Sequence, residues 1–161
     1  MLFRSTGLAA IREAHRTVME ADLALSFERE YQHGREQLSP ILQTMLERGQ
    51  AITAVDYHRA LILREETRAA LQPLFQRLDA LITPAVTGAA PRGLSATGSP
   101  VFCTPWTFLG VPALSLPLLQ SESGLPIGVQ LVAGPHDDAR LLRTARWLVQ
   151  QCTFEETGNA E

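Results

Sequence analysis

The stretch from Phe102 to Ala133, FCTPWTFLGVPALSLPLLQSESGLPIGVQLVA, constrains the fold more than any other part of the chain, because it holds the two most strand-like runs and a turn-rich connector between them. Pro112 to Leu119 alternates Ala113, Ser115 and Pro117 with Leu114, Leu116 and Leu118, the period of two that gives a strand one apolar face. The opposite face is small, which suits the close approach of a covering layer. Pro112 and Pro117 have no amide to donate and are expected at strand ends or where the amide would face away from a neighbour. The second run places Ile127, Val129, Leu131 and Ala133 on one face and Gly128, Gln130 and Val132 on the other. Gln130 there requires a buried partner or a cavity. The connector Gln120 to Pro126, with Ser121, Ser123, Gly124 and Pro126, is long enough for the runs to pair as an open hairpin.

The rest of the chain reads mainly as helices that need such a sheet to pack on. From Leu2 to about Phe27, Leu8, Ile11, Val18 and Leu25 recur at helical spacing. Gly34 interrupts, and Leu38, Ile41, Leu42, Met45 and Leu46 form a compact stripe ended by Gly49, a glycine suited to a helix C-terminus. Thr53 and Asp56 resemble a capping box with Asp in place of Glu. They open the longest helical pattern, with Ala60, Leu63, Thr67, Ala70, Leu71, Leu74 and Leu78 on one face. Pro73 predicts a kink or break near Ala69 to Gln72, since it removes a hydrogen bond and crowds the preceding turn. Asp79 to Thr83 is a short β-prone run stopped by Pro84, and Ala85 to Pro100, AVTGAAPRGLSATGSP, reads as a surface or cavity-lining loop. Asp137 or Asp138 caps a last helix whose inner side is Leu141, Leu142, Ala145, Leu148, Val149 and Cys152. The expected organisation is one domain over 1–161: mostly helical to 79, strands and loops over 80–133, a helix over 134–152 and a frayed tail over 153–161.

Composition narrows the class of function. With 161 residues, 45% of them hydrophobic, the chain is long enough to bury about 70% of its unfolded surface. A net charge of -3 offers no electrostatic footprint for nucleic acid or an anionic membrane, so neither is expected as a partner. No apolar run reaches the length of a membrane span, and MLFRSTGLAAIREAHR lacks the uninterrupted apolar core of a signal peptide, which makes a cytoplasmic address the expectation.

Chemistry is harder to place. His15, His33, His58 and His136 show no metal-ligand spacing, and glycine-rich phosphate loops are missing from the pattern, so neither a metal nor a cofactor is expected. Gly93, Ser95 and Gly98 imitate a nucleophile elbow, but the second glycine comes one residue too late and no convincing strand precedes it. Cys103 and Cys152 are far apart and unpatterned, and both read as buried thiols. All 14 basic residues are arginine; the sequence contains no lysine.

Three segments then carry a family resemblance. YHRALILREETRAALQPLFQRLDALITPAVTGAAP at Tyr57 to Pro91, TGSPVFCTPWTFLGVPALSLP at Thr97 to Pro117, and GLPIGVQLVAGPHDDARLL at Gly124 to Leu142 resemble, in order, the C-terminal part of the amidase signature family. The sharpest pieces are Asp79 with Thr83-Pro84, Gly110-Val111-Pro112, and Gly124-Leu125-Pro126 leading into Gly128-Val129-Gln130-Leu131. The resemblance implies an α/β fold with helices packed on a mixed β-sheet, and metal- and cofactor-free hydrolysis of carbon–nitrogen amide bonds. In that family a serine attacks the carbonyl, assisted by a second serine in a cis peptide and by a lysine that manages the proton. An arginine cannot replace that lysine, because its guanidinium does not release a proton near neutral pH. This chain has neither lysine nor a Ser-Ser or Gly-Gly pair, so no catalytic residue carries over.

The resemblance thus implies the C-terminal portion of an amidase that contributes sheet and substrate pocket to a small-molecule amide hydrolase, with the catalytic N-terminal portion elsewhere. Thr97, Phe102, Thr104 and Trp106 are candidates for the pocket wall, and each serves equally well as a turn or core residue. A partial sheet leaves an edge and apolar surface uncovered, which favours self-association or pairing with the N-terminal amidase portion. The alternative is a non-catalytic, truncated relative that acts as a binding or assembly module.

Overall fold

The computed structural model describes the backbone of residues 5–158 and, within it, the side chains of residues 7 and 9–152. Leu2, the expected start of the first helix, and the side chain of Leu8, placed on its apolar stripe, lie outside the described residues. By contacts the chain divides into two compact units, Met1–Arg68 and Ala69–Glu161.

The first unit is helical. Helix α1, Ser5–Ser26, is followed by α2, Glu28–Gly34, a 3-10 turn at Arg35–Gln37, and α3, Pro40–Gln50. The start of α3 is set by Ser39, whose hydroxyl accepts from the Leu42 amide at 3.3 Å, and by Pro40, whose missing N–H costs nothing in a first turn. Leu46 is buried, Leu42 and Met45 are half-buried, and Ile41 is exposed, so the expected stripe is narrower than its pattern. Gly49 does not end the helix. It lies inside α3 and buried, and a Cβ there would sit 2.7 Å from the carbonyl carbon of Glu20 and 2.8 Å from Ala24 Cβ. The glycine is therefore what lets α3 touch the backbone of α1. Beside it the buried Glu20 carboxylate accepts twice from Arg48 Nε, at 3.1 and 3.0 Å. A buried charge needs such a partner, and nothing in the hydrophobic pattern announces it.

Helix α4 spans Ala54–Arg77, and the boundary between the two units falls within it. Its capping is as expected: the Asp56 amide donates to Thr53 Oγ1 at 3.1 Å, and the hydroxyl donates to Asp56 Oδ2 at 2.6 Å. The helix runs unbroken past Pro73, so of the kink or break expected near Ala69 to Gln72 the break does not occur. Its inward positions are Ala60, Thr67, Leu71 and Phe75. Ala70 and Leu74 are exposed, because each lies one residue before an inward position and so about 100° around the axis; Leu78, also exposed, lies beyond the end of the helix.

The second unit holds the sheet. Strands β1, Leu81–Pro84, β2, Ala113–Gln120, and β3, Pro126–Val132, lie in the order β1-β3-β2. Both pairings are antiparallel; among the described residues no parallel pair completes the mixed sheet implied by the resemblance. The connector forms the expected hairpin, with Gly124 at φ +80 and the Ser121 amide donating to the Leu125 carbonyl at 2.8 Å. The β2–β3 register slips between Leu116 and Leu119, at Pro117, which has no amide for the ladder.

One face of the sheet is apolar and is covered over β2 and β3, while Ile82 on β1 remains exposed. Leu131, Ala133, Leu141 and Ala145 form a buried cluster, with Leu114, Leu116 and Leu148 packed against it. Leu141, Ala145 and Leu148 belong to α6, Asp138–Gly158. This helix continues six residues past the expected end at Cys152; residues 159–161 lie outside the described residues. Leu142 is exposed, as is Cys152, which corrects its reading as a buried thiol. The small side of β2 is also open: Ala113, Ser115 and Pro117 are exposed, whereas close covering was expected. Both β1 and β2 are edge strands of the three described.

Candidate functional site

On the face opposite α6 the register brings one residue from each strand into a polar row, Thr83 on β1, Gln130 on β3 and Ser115 on β2. Period-two alternation puts these three on one side once Leu131 and Leu114 face α6. Gln130 is only 5% exposed, and its carboxamide is satisfied at both ends. Thr83 Oγ1 donates to its Oε1 at 3.2 Å, and its Nε2 donates to Cys103 Sγ at 3.9 Å. This is the buried partner that the strand pattern demands for Gln130. The Cys103 thiol donates in turn to the Ala85 carbonyl at 3.4 Å.

Gly128, one alternation before Gln130, leaves the space into which neighbours fit. A Cβ at this position would collide with Ser115 Oγ and lie 2.9 Å from Ala85 Cβ. The Ala85 amide donates to the Gly128 carbonyl at 3.0 Å, extending the ladder one step beyond β1.

Cys103 precedes α5, the short helix Thr104–Leu109. Proline at its start and Gly110 at φ +60 delimit it, and the Val111 amide returns to the Trp106 carbonyl at 3.3 Å, a glycine-terminated helix end that accounts for Gly110-Val111-Pro112. Trp106, Phe108 and Leu109 are buried by this turn.

The four wall candidates separate. Thr97 lies in the exposed loop Ala85–Pro100. Phe102 and Thr104 are half-buried where that loop meets α5, and Thr104 Oγ1 donates to the Pro100 carbonyl at 2.9 Å. Trp106 is 5% exposed and serves the core. Phe102 and Thr104 are thus tied to the polar row through Cys103, which lies between them in the chain, whereas Thr97 is exposed on the loop. Cys103 and Thr83 are the site members that pattern reading did not select as a pair; the signal for them was Gln130 itself, a polar residue on an inward strand position.

Two surface clefts lie elsewhere. One of about 640 Å³ in the first unit is lined by Ala14, Arg48, Ile52, Asp56, Arg59 and Leu63 among others, and one of about 530 Å³ in the second by Asp79, Arg140, Arg143, Thr144 and Trp147. Neither includes a wall candidate. Among the described residues no three His, Cys, Asp or Glu side chains are grouped to hold a metal ion, and no helix is long and apolar enough to cross a membrane. Hydroxyl, carboxamide and thiol groups arranged in this way can orient a loop and offer hydrogen bonds.

Comparison with known proteins gives this arrangement a context. A family model described as Amidase matches residues 6–142. A fatty acid amide hydrolase of Medicago truncatula is 28% identical over 158 residues, covering 90% of this chain and 26% of that protein. A 2-amino-5-chloromuconic acid deaminase of Comamonas testosteroni is 27% identical over 154 residues, covering 89% and 31%. Among solved structures, a crystal structure of an amidase superposes with a TM-score of 0.80 at 28% identity, covering 89% of this chain and 36% of that one. The chain spans about a quarter to a third of the length of these relatives. The hairpin, the Gly110 helix end and the Gly128–Gln130 strand all fall within the matched residues, and the chain belongs to the amidase family.

Proposed function

We infer that this chain forms the C-terminal portion of an amide hydrolase, supplying three sheet strands and part of the wall beside a small-molecule amide, while the serine and lysine chemistry comes from residues outside it. The observation that carries this reading is the combination of a family match across most of the chain with the absence of lysine from its sequence, which leaves only guanidinium groups where the family's lysine would be sought. A hydroxyl attacking an amide must lose its proton and the leaving nitrogen must gain one, so the site needs a group that exchanges a proton near neutral pH. Guanidinium does not. Phe102 and Thr104 are the wall residues best placed for contact with substrate, since they flank the anchored Cys103. Exposed Ile82 and Leu119 on the two edge strands support pairing with the N-terminal amidase portion or self-association. A cytoplasmic setting completes the reading.

The test is direct. The purified 161-residue chain, assayed against simple aryl and aliphatic amides, is expected to give no turnover above the uncatalysed rate, and the reading frame upstream of Met1 is expected to encode a lysine and a glycine–serine segment with tandem serines. Turnover that copurifies with the chain and survives Cys103→Ala would overturn the reading, as would an upstream frame lacking those residues.

A further inference from the structure

Between Ala85 and Pro100 the chain leaves the sheet and returns without a helix or strand, and every residue from 91 to 100 is exposed. Leu94 projects fully into solvent. A segment of this length with no internal ladder is held by its ends, as in compact surface loops whose ends lie close together. One end is Ala85, buried and bonded through its amide to Gly128. The other is Pro100, whose carbonyl accepts from the Cys103 amide, the Thr104 amide and Thr104 Oγ1, each at 2.9 Å. The Cys103 thiol ties the two ends together by donating to the Ala85 carbonyl.

We propose that Gln130 is the positioning residue of this loop: from β3 it fixes the Cys103 thiol on Ala85, and so closes the base of the 86–102 segment and places Phe102 and Thr104. Sulfur is a weak hydrogen-bonding atom, and neither contact to it is strong taken alone. What makes the clasp hold is burial. Gln130 has almost no access to water, so its NH2 loses its partner outright if Cys103 moves, and its oxygen is already committed to Thr83. The importance of Phe102 and Thr104 as a substrate wall rests on the function proposed above; the clasp itself does not.

The experiment uses the 161-residue chain carrying Cys152→Ser, which removes the exposed thiol and leaves Cys103 as the reporter. Its alkylation by iodoacetamide and its backbone hydrogen exchange are followed with and without Gln130→Met, a substitution that keeps length and volume but deletes both hydrogen-bonding ends. Alkylation of Cys103 and exchange over 85–104 are expected to rise about five- to tenfold, with exchange in α6 unchanged. Thr83→Val is expected to move both readouts the same way by a smaller factor, and Thr83→Ser, which restores the hydroxyl, to return them to the starting values. Unchanged Cys103 reactivity in Gln130→Met would overturn the proposal, and so would a rise shared equally by the strands and α6, which marks plain core packing. If Gln130→Met does not fold, the Thr83→Val and Thr83→Ser pair decides by the same criterion. No substrate enters these measurements, so their outcome is separable from that of the amide assay.

Discussion

Gly49→Ala sets two effects of opposite sign against each other. Alanine is the better helix former, so in a free helix the change stabilises by about 1 kcal/mol. In α3 the added carbon would sit 2.7 Å from the Glu20 carbonyl carbon and 2.8 Å from Ala24 Cβ, where carbon pairs prefer about 3.5–4.0 Å. The first of these atoms is backbone and cannot swing aside, so α1 and α3 must part by about 1 Å. Overpacking of this kind costs about 1–3 kcal/mol, and a gap of about 1 Å forfeits up to about half of each dispersion contact along the seam. The parting also strains the Arg48–Glu20 pair one residue away, whose carboxylate has little water to fall back on. The steric side therefore wins, with a net loss of about 2 kcal/mol and a fall in Tm of about 4–8 °C for a chain of this length. Thermal and urea unfolding followed by far-UV circular dichroism measure it. A midpoint equal to or above that of the parent would refute the reasoning, since it would mean that propensity outweighs the helix contact.

Two smaller perturbations follow from the same unit. Thr53→Ala removes the oxygen that caps the Asp56 amide and is expected to cost about 1 kcal/mol in urea unfolding, whereas Thr53→Ser keeps the cap and most of the stability. Burial holds the His15 imidazole below its ordinary value near 6.5. Below that value the unfolded chain then binds more protons than the folded one, so this contribution to stability is complete above about pH 6.5 and is lost as the pH falls through the window beneath it. The urea midpoint should be lower at about pH 5.5 than at about pH 7.5, and His15→Gln should reduce the difference; an equal difference in the variant would assign it to other groups.

Where the sequence was legible, the signal was local. The alternation of Leu114, Leu116 and Leu118, the turn residues before Pro126 and the Thr53–Asp56 cap each depend on neighbours within a few positions, and each formed as read. The amidase resemblance extended this to the segments between Tyr57 and Leu142. What escaped was decided by partners far along the sequence. Gly49 has the spacing of a helix stop, yet its conformation is helical, because the constraint is the backbone of Glu20 rather than a turn. The inner strip of α4 follows Thr67, Leu71 and Phe75, and a leucine count alone favours the neighbouring strip of Leu74 and Leu78. Cys103 reads as plain core until Gln130 is placed across from it by a register no single segment encodes.

The division of the sheet into two chemically different faces connects the fold to the proposed role. The face toward α6 is leucine and alanine, and nothing on it would orient a polar substrate. The other carries Thr83, Gln130 and Ser115 in one row across three strands, and the loop holding Phe102 and Thr104 is fastened there. A pocket wall of the kind proposed, attached to this face, would inherit the rigidity of the sheet without being part of it, which is the arrangement that lets loops carry specificity on a fixed scaffold. The small open side of β2, with Ala113, Ser115 and Pro117 exposed beside that row, is then the surface on which further sheet and catalytic residues would have to approach closely. Bulkier side chains at Ala113 and Pro117 should block that approach while leaving the isolated chain folded, since both positions are exposed there.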